Sequence, residues 1–164
     1  MKKMRVILTV LLSIALLTFL LWPVSVITIN AQSGQRVQQK IGADERVILY
    51  FLHSYYHVPQ YEYYRHEGNQ LVLDEIRFGD LQAANYYDPF RTYTLNEETG
   101  YYELKNIGYR IDAHRFAMAH GTDYSISVGS HTYDLNKTFP DASSIETTVQ
   151  VTPRIIYYYW RLFK

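Results

Sequence analysis

The longest apolar segment lies at the start of the chain. Lys2, Lys3 and Arg5 precede residues 6–22, a run of seventeen residues without a charge. A helix of that length measures roughly 25 Å, close to the hydrocarbon thickness of about 30 Å of a bilayer. Backbone amides find no water in hydrocarbon, so the run predicts one membrane-spanning helix.

Past residue 23 the apolar positions form short segments, many of which alternate with polar positions. Segments of this kind, rich in tyrosine and β-branched residues and separated by turn residues, are typical of antiparallel strands. Glu67-Gly68-Asn69 predicts a hairpin whose second strand carries Leu71, Leu73 and Glu75 on one face. The predicted strands cover residues 24–30, 46–53, 61–66, 70–78, 101–104, 108–111, 124–128, 131–135, 146–151 and 155–160.

These strands predict an all-β fold, because a long sheet must cover its apolar face by folding over itself. We expect a small antiparallel β-sandwich or barrel preceded by a single N-terminal transmembrane helix. Adjacent tyrosines such as Tyr63-Tyr64 would place one ring on each side of a strand. Inward rings would fill the core and outward rings would pack across strands, with a stacking platform for sugars as the alternative.

The charges around the N-terminal run predict its orientation. Three of the sixteen basic residues precede it and none of the sixteen acidic residues does. The positive-inside rule then places the N-terminus in the cytoplasm and the β-domain outside the cell membrane. A cleaved signal peptide is the alternative, but Ile29-Asn30-Ala31 has a bulky residue where a cleavage site needs a small one. We expect an uncleaved single-pass anchor over residues 1–23 and one extracytoplasmic domain over residues 24–164.

Composition narrows the function classes. The domain carries thirteen basic and sixteen acidic residues, which leaves no positive field to attract nucleic acid. The chain has no cysteine, which excludes a lipoprotein thiol and disulfides. His53 and His57 are four residues apart, but Pro59 argues against the helix that would align them as metal ligands. No G-x-S-x-G motif or triad is present. We expect no metal, no cofactor and no catalytic residue, with an envelope hydrolase as a minor alternative.

Residues 53–78 carry a more specific pattern. His53-Ser54 ends a strand, Pro59 follows five residues later, and an E-Y-Y strand, a glycine turn and an L-V-L-x-E-x-R-F strand come next. Across residues 46–90 the chain resembles DUF1850, a family of small bacterial proteins with a domain of unknown function. It departs from the family at Tyr56, where an acidic residue is usual, and at residues 81–84, where a Gly-Ala-Gly-like patch is usual.

The resemblance implies a location and a partner. Members of this family look like a single N-terminal anchor followed by a compact extracytoplasmic β-domain. The resemblance further implies a genomic neighbourhood with TRAP-type transporters of the TAXI class, whose solute receptors work in the same compartment. The resemblance therefore implies a transport accessory whose partners are the membrane and transporter subunits or the solute receptor.

The same segment supplies a candidate polar binding cluster. Its members are His53, Ser54, Glu62, Glu75 and Arg77, which would converge on a ligand. The structural alternative is that His53 and Ser54 bond backbone groups where their strand ends and that the glutamates pair with arginines across the hairpin.

The last thirteen residues combine basic and aromatic side chains without an acidic one. Such mixtures favour the headgroup zone of a membrane. A last strand with a basic edge is the alternative. The candidate membrane-interface residues are Arg154, Tyr157, Trp160, Arg161 and Lys164.

Together these features predict a non-enzymatic, membrane-tethered extracytoplasmic accessory or interaction module. A ligand- or glycan-binding domain of the cell envelope is the alternative function.

Overall fold

A computed structural model describes residues 2–119 and 121–163. Within this part of the chain an apolar helix comes first, eleven strands and two short helices follow, and a terminal helix comes last. In chain order the elements are α1 (Lys2–Leu21), β1 (Pro23–Ala31), β2 (Arg36–Ile41), β3 (Val47–Leu52), β4 (Pro59–Glu67), β5 (Gln70–Phe78), α2 (Leu81–Tyr87), β6 (Thr94–Leu95), β7 (Tyr102–Ile111), β8 (Ala113–Ala117), β9 (Tyr124–Val128), β10 (His131–Asp134), α3 (Leu135–Thr138), β11 (Ser144–Pro153) and α4 (Arg154–Phe163).

The strands form two antiparallel sheets. The small sheet has the order β2-β1-β11-β8, and the large sheet has the order β10-β9-β3-β4-β5-β7-β6. One cluster of buried apolar side chains joins them, with Ile27 and Ile145 from the small sheet and Leu49, Phe78 and Ile126 from the large sheet. This sandwich-like arrangement behind an N-terminal helix confirms the predicted all-β fold.

Helix α1 has twenty residues and a mean hydropathy of 2.4, and none of its side chains is buried. At about 1.5 Å per residue it is roughly 30 Å long, enough to cross a hydrocarbon core. The hydroxyls of Thr9, Ser13 and Thr18 each donate to the carbonyl four residues earlier, at 2.9 Å. The hydroxyl groups within the apolar run are thus satisfied inside the helix. These properties are compatible with a membrane anchor or with a signal sequence.

The helix passes into the small sheet through Trp22 alone. Pro23 cannot continue a helix and stands at the first position of β1, where a missing N–H is tolerated. Val24 and Val26 lie in a separate buried cluster, whereas Ile27 belongs to the core between the sheets. The predicted strand at residues 24–30 is therefore confirmed.

The β4–β5 hairpin contains a bulge that the sequence does not reveal. Consecutive residues of β4 pair with Leu73 and Glu75, so Asp74 is the extra residue. Leu71 and Leu73 face the core before the bulge, and Ile76 does so after it. The expectation that Leu71, Leu73 and Glu75 share one face is wrong, because the bulge shifts the alternation by one residue.

The strand predicted at residues 155–160 is wrong, since these residues lie in α4. Pro153 ends β11, and its fixed φ suits entry into a helix. Burial of Tyr157 against Val24 and Val26 then stabilises the helical conformation. Tyrosine content favoured a strand, but a tertiary contact decides the conformation.

The adjacent tyrosines divide according to their element. Tyr63-Tyr64 follows the prediction, because Tyr64 is buried and Tyr63 lies on the opposite face of β4. Residues 86–87 and 157–159 lie in helices, so the strand argument does not apply to them.

The sandwich has two ends that matter for function. We call the end where α1 and α4 join the sheets the anchor end. The tip of the β4–β5 hairpin lies there too, because the Asn69 side-chain oxygen accepts a hydrogen bond of 2.7 Å from the Val151 N–H. The distal end is where β3 stops and β4 starts, next to Ala117 and Ser144. The nine steps of β11 from Ser144 to Pro153 put the two ends about 30 Å apart.

Candidate functional site

The five residues of the predicted polar cluster do not lie together. His53, Ser54 and Glu62 line a cavity on the inner face of the large sheet. Glu75 and Arg77 face the opposite side, because both follow the bulge at Asp74. The single cluster expected from the sequence is therefore two separate sites.

The cavity lies at the distal end, between β8 and strands β3 and β4. Its volume is about 340 Å³, within the range of small-molecule sites. Phe51, Phe116 and Tyr124 form an aromatic wall, with ring centroids 6.2 Å apart for Phe51 and Tyr124 and 5.7 Å apart for Phe116 and Tyr124. Tyr87 of α2 adds another ring to the lining.

Glu62 is the carboxylate of this cavity, and it is almost fully buried. Gln60 Nε2 donates to Glu62 Oε1 at 3.1 Å, and the Tyr64 hydroxyl donates to Oε2 at 2.6 Å. His114 Nε2 lies 3.4 Å from the same Oε2. Burial, followed by the charge of Glu62, raises the pKa of Tyr64, so its hydroxyl stays a donor. No lysine or arginine in the described part of the chain forms an ion pair with Glu62.

Two histidines flank the carboxylate. Burial lowers the pKa of His114, while the Glu62 charge opposes that shift without cancelling it. Burial also lowers the pKa of His53. His53 Nδ1 accepts from the backbone N–H groups of Tyr55 and Tyr56, both at 3.3 Å, which confirms that it bonds backbone where its strand ends. Both imidazoles therefore favour the neutral form.

Aromatic residues also surround the position where β3 ends. Tyr55 and Tyr86 stack with centroids 6.0 Å apart, and Tyr86 meets the His53 ring edge-on at 5.6 Å. Helix α2 can approach the sheet closely because Ala83 and Ala84 are small and fully buried.

Sequence reasoning missed several residues of the cavity. Gln60, which lines the cavity, and Tyr64, which donates to Glu62, lie on the same face of β4 as the predicted Glu62, so their proximity could have been read from the strand pattern. His114 and Phe116 could not, because β8 was not predicted and its packing is a tertiary contact.

The second site is an ion-pair network on the outer face of the large sheet. Arg77 Nε contacts Glu75 at 2.7 Å and Glu103 at 3.3 Å, and its guanidinium lies 4.6 Å from the centroid of the Tyr63 ring. Burial works to raise the pKa of Glu103, but hydrogen bonds from Lys105 and a neighbouring asparagine outweigh it and lower that pKa. The charges of this network are largely balanced, which suits a structural role.

The candidate membrane-interface residues lie in α4. The Arg154 N–H donates to the Trp22 carbonyl at 3.1 Å, and its guanidinium lies 4.1 Å from the Phe19 ring centroid in α1. Tyr157 is buried against β1, so its expected place at the membrane surface is wrong. Trp160 is half-buried and Arg161 is exposed, while Lys164 lies outside the described residues.

The side of α4 that points away from the sheets is apolar, the reverse of a usual surface helix. Its exposed large apolar residues are Ile155, Ile156, Tyr158, Tyr159 and Leu162.

No three histidine, aspartate or glutamate side chains come together as metal ligands within residues 2–119 and 121–163.

Comparison with known proteins adds a family. A search of curated proteins and a search of solved structures found no significant match. The family model described as a domain of unknown function (DUF1850) matches residues 47–135. That range contains the distal cavity and all strands of the large sheet. Since the match covers more than half of the 164 residues, the chain belongs to the DUF1850 family.

Proposed function

We propose that this protein is a membrane-tethered extracytoplasmic module that catalyses no reaction and holds its β-domain against the outer leaflet. Helix α1 would anchor it with the N-terminus in the cytoplasm, because the basic residues that precede the apolar run favour that side. The chain passes into β1 without a linker, which limits how far the domain can move from the bilayer.

The observation that carries this proposal is the reversed polarity of α4. A helix on a water-exposed surface turns its polar side outward. In α4 the buried Tyr157 faces the domain, while Ile155, Ile156 and Leu162 face outward, with Leu162 75% exposed. Such a surface is costly in water but is stabilised in the interfacial zone of a membrane.

The position of α4 supports the same environment. Arg154 connects it to α1 through the Trp22 carbonyl and the Phe19 ring. Since α1 would cross the bilayer, a helix joined to its outer end would lie at the level of the lipid headgroups. Arg154 and Arg161 could then meet anionic lipid while the apolar side enters the leaflet.

The position of α4 at the membrane surface can be tested in the full chain. Because the chain has no cysteine, a single cysteine can be introduced and labelled. Leu162→Cys and the control Leu95→Cys, an exposed leucine of β6, would carry a bimane fluorophore in nanodiscs. We expect nitroxide-labelled lipid to quench the fluorophore at position 162 and leave position 95 bright. Equal quenching at the two positions would overturn the proposal that α4 lies at the membrane surface.

The partner follows from the resemblance to a transporter-associated family. We propose that the module assists a TRAP-type transporter by contacting its membrane subunits or its solute receptor. Affinity purification from mildly solubilised membranes should recover such subunits with the intact chain. The same purification with a chain whose Tyr55 and Tyr86 are replaced by serine would test the exposed distal rings as the contact. Recovery of no transporter component with the intact chain would contradict the accessory role.

The distal cavity favours a second candidate function, a ligand-binding domain of the cell envelope. It combines an aromatic wall with a buried carboxylate, which is the usual composition of a small-molecule site.

A further inference from the structure

We infer that the distal cavity binds a small organic cation, with a protonated amine at Glu62 and an apolar body against the aromatic wall. This inference goes beyond tethering and does not depend on how the chain sits on the membrane.

The charged residues of the lining favour a cationic ligand. Among the described residues that line the cavity, Glu62 is the only carboxylate, and none is a lysine or arginine. The two histidines of the lining favour their neutral forms. The Glu62 carboxylate is therefore the one charged group among these lining residues, and its charge disfavours an anionic ligand and attracts a cation.

The hydrogen bonds of Glu62 leave room for a donor from the ligand. A carboxylate can accept about four hydrogen bonds. Oε2 meets the Tyr64 hydroxyl and His114, whereas Oε1 accepts only from Gln60 among the described residues. The neutral donors Tyr64 and Gln60 hold the carboxylate in place but do not balance its charge. An ammonium group donating to Oε1 would use the spare acceptor and neutralise a buried charge that is otherwise costly.

The aromatic wall suits an amine that has an apolar body. Phe51, Phe116 and Tyr124 lie on the lining within one stacked group. Ring faces attract cations and also bury apolar surface, so they suit an amine that carries a hydrocarbon or aromatic body. A neutral sugar would use the rings but would gain nothing from the charge of Glu62.

A set of matched probes tests this inference. Benzylammonium, benzyl alcohol and benzoate share one ring and differ in charge, and methylammonium keeps the charge without the ring. Isothermal titration calorimetry would measure each with the full chain in nanodiscs of zwitterionic lipid. Empty nanodiscs would provide the correction for partitioning into lipid. We expect benzylammonium to bind saturably and at least about tenfold more tightly than each of the other three probes.

Two variants locate the binding. Glu62→Gln keeps the shape of the side chain and one acceptor oxygen but replaces the other oxygen with a donor NH2 and removes the charge, so benzylammonium should lose its advantage over benzyl alcohol. Glu146→Gln is the matched control, because Glu146 lines a different cavity and pairs with Arg115. Glu62→Asp keeps the negative charge but moves the carboxylate away from the ligand, because the side chain is one methylene shorter. It should weaken benzylammonium binding, and it provides a second variant if Glu62→Gln fails to fold.

Three outcomes would overturn the inference. They are the absence of saturable benzylammonium binding, equal binding of benzylammonium and benzyl alcohol to the wild-type chain, and retention of the preference in Glu62→Gln. Each of them would leave the tethered-module proposal standing, because that proposal is tested by lipid quenching and copurification.

Discussion

The hydrogen bond from Tyr64 to Glu62 allows a quantitative test of the buried carboxylate. Tyr64→Phe removes only the hydroxyl that donates at 2.6 Å to Glu62 Oε2. Tyr64 is 3% exposed, so water cannot easily replace that donor. A hydrogen bond to a charged group contributes about 1.5–3 kcal/mol, and we expect Tyr64→Phe to lower the free energy of unfolding by that amount.

The size of the effect should depend on the charge of Glu62. In a Glu62→Gln background the same hydroxyl would meet a neutral amide, for which a hydrogen bond contributes about 0.5–1.5 kcal/mol. The double-mutant cycle should therefore give a coupling energy of about 1 kcal/mol or more. Tyr133→Phe is the control, because the Tyr133 hydroxyl donates at 3.1 Å to the neutral side-chain oxygen of Gln39.

Urea unfolding of the detergent-solubilised chain, followed by circular dichroism of the β-domain, would provide the four free energies of the cycle. For a domain of this size, 1.5–3 kcal/mol corresponds to a decrease in Tm of roughly 5–12 °C. A cost for Tyr64→Phe that is equal in both backgrounds, or no larger than that of Tyr133→Phe, would refute the view that Glu62 is a buried charge held by neutral donors.

Three further predictions concern the core, the histidines and α4. Thr147 Oγ1 is a buried oxygen without a hydrogen-bond partner among the described residues, so Thr147→Val should raise the free energy of unfolding by about 1 kcal/mol in urea, and a loss of stability would contradict this reading. The folded-state pKa of His114 lies below the ordinary 6.5, so the unfolded chain binds more protons and stability should fall as pH decreases below about 6.5. His114→Gln should reduce that fall, with the part due to His53 remaining, and an unchanged pH profile would count against the neutral imidazole. Tyr157→Ala should release α4 from Val24 and Val26, which would speed hydrogen exchange in α4 but leave the amides of β9 protected; equal loss of protection in both elements would show that α4 is part of the core.

Local sequence patterns were sufficient to predict much of the large sheet. The strand predicted at residues 124–128 has the observed bounds of β9, and the hairpin around Gly68 is correct. Gly68 has a φ of +57° in a two-residue turn, a conformation that glycine adopts without strain. Such features depend on neighbours in sequence, which is why they could be predicted.

Features decided by distant contacts could not be predicted in the same way. A bulge at Asp74 depends on the partner strand, and it places Glu75 on the face of the large sheet opposite the cavity. Residues 155–160 have strand-like composition, yet Tyr157 finds its partners when the segment is helical. His114 reaches Glu62 because β8 closes the small sheet at its edge, which no local pattern indicates.

In the proposed topology, an uncleaved α1 holds the β-domain outside the cell membrane. Two single-cysteine chains test it, Ser33→Cys in the distal turn after β1 and Lys3→Cys at the start of α1. Intact spheroplasts would be treated with a membrane-impermeant maleimide, and the labelled, full-length chain would be quantified in the membrane fraction. We predict labelling at position 33, and labelling at position 3 only after the membrane is permeabilised. Labelling at position 3 but not at position 33 before permeabilisation, or a shortened chain released from the membrane, would contradict this topology.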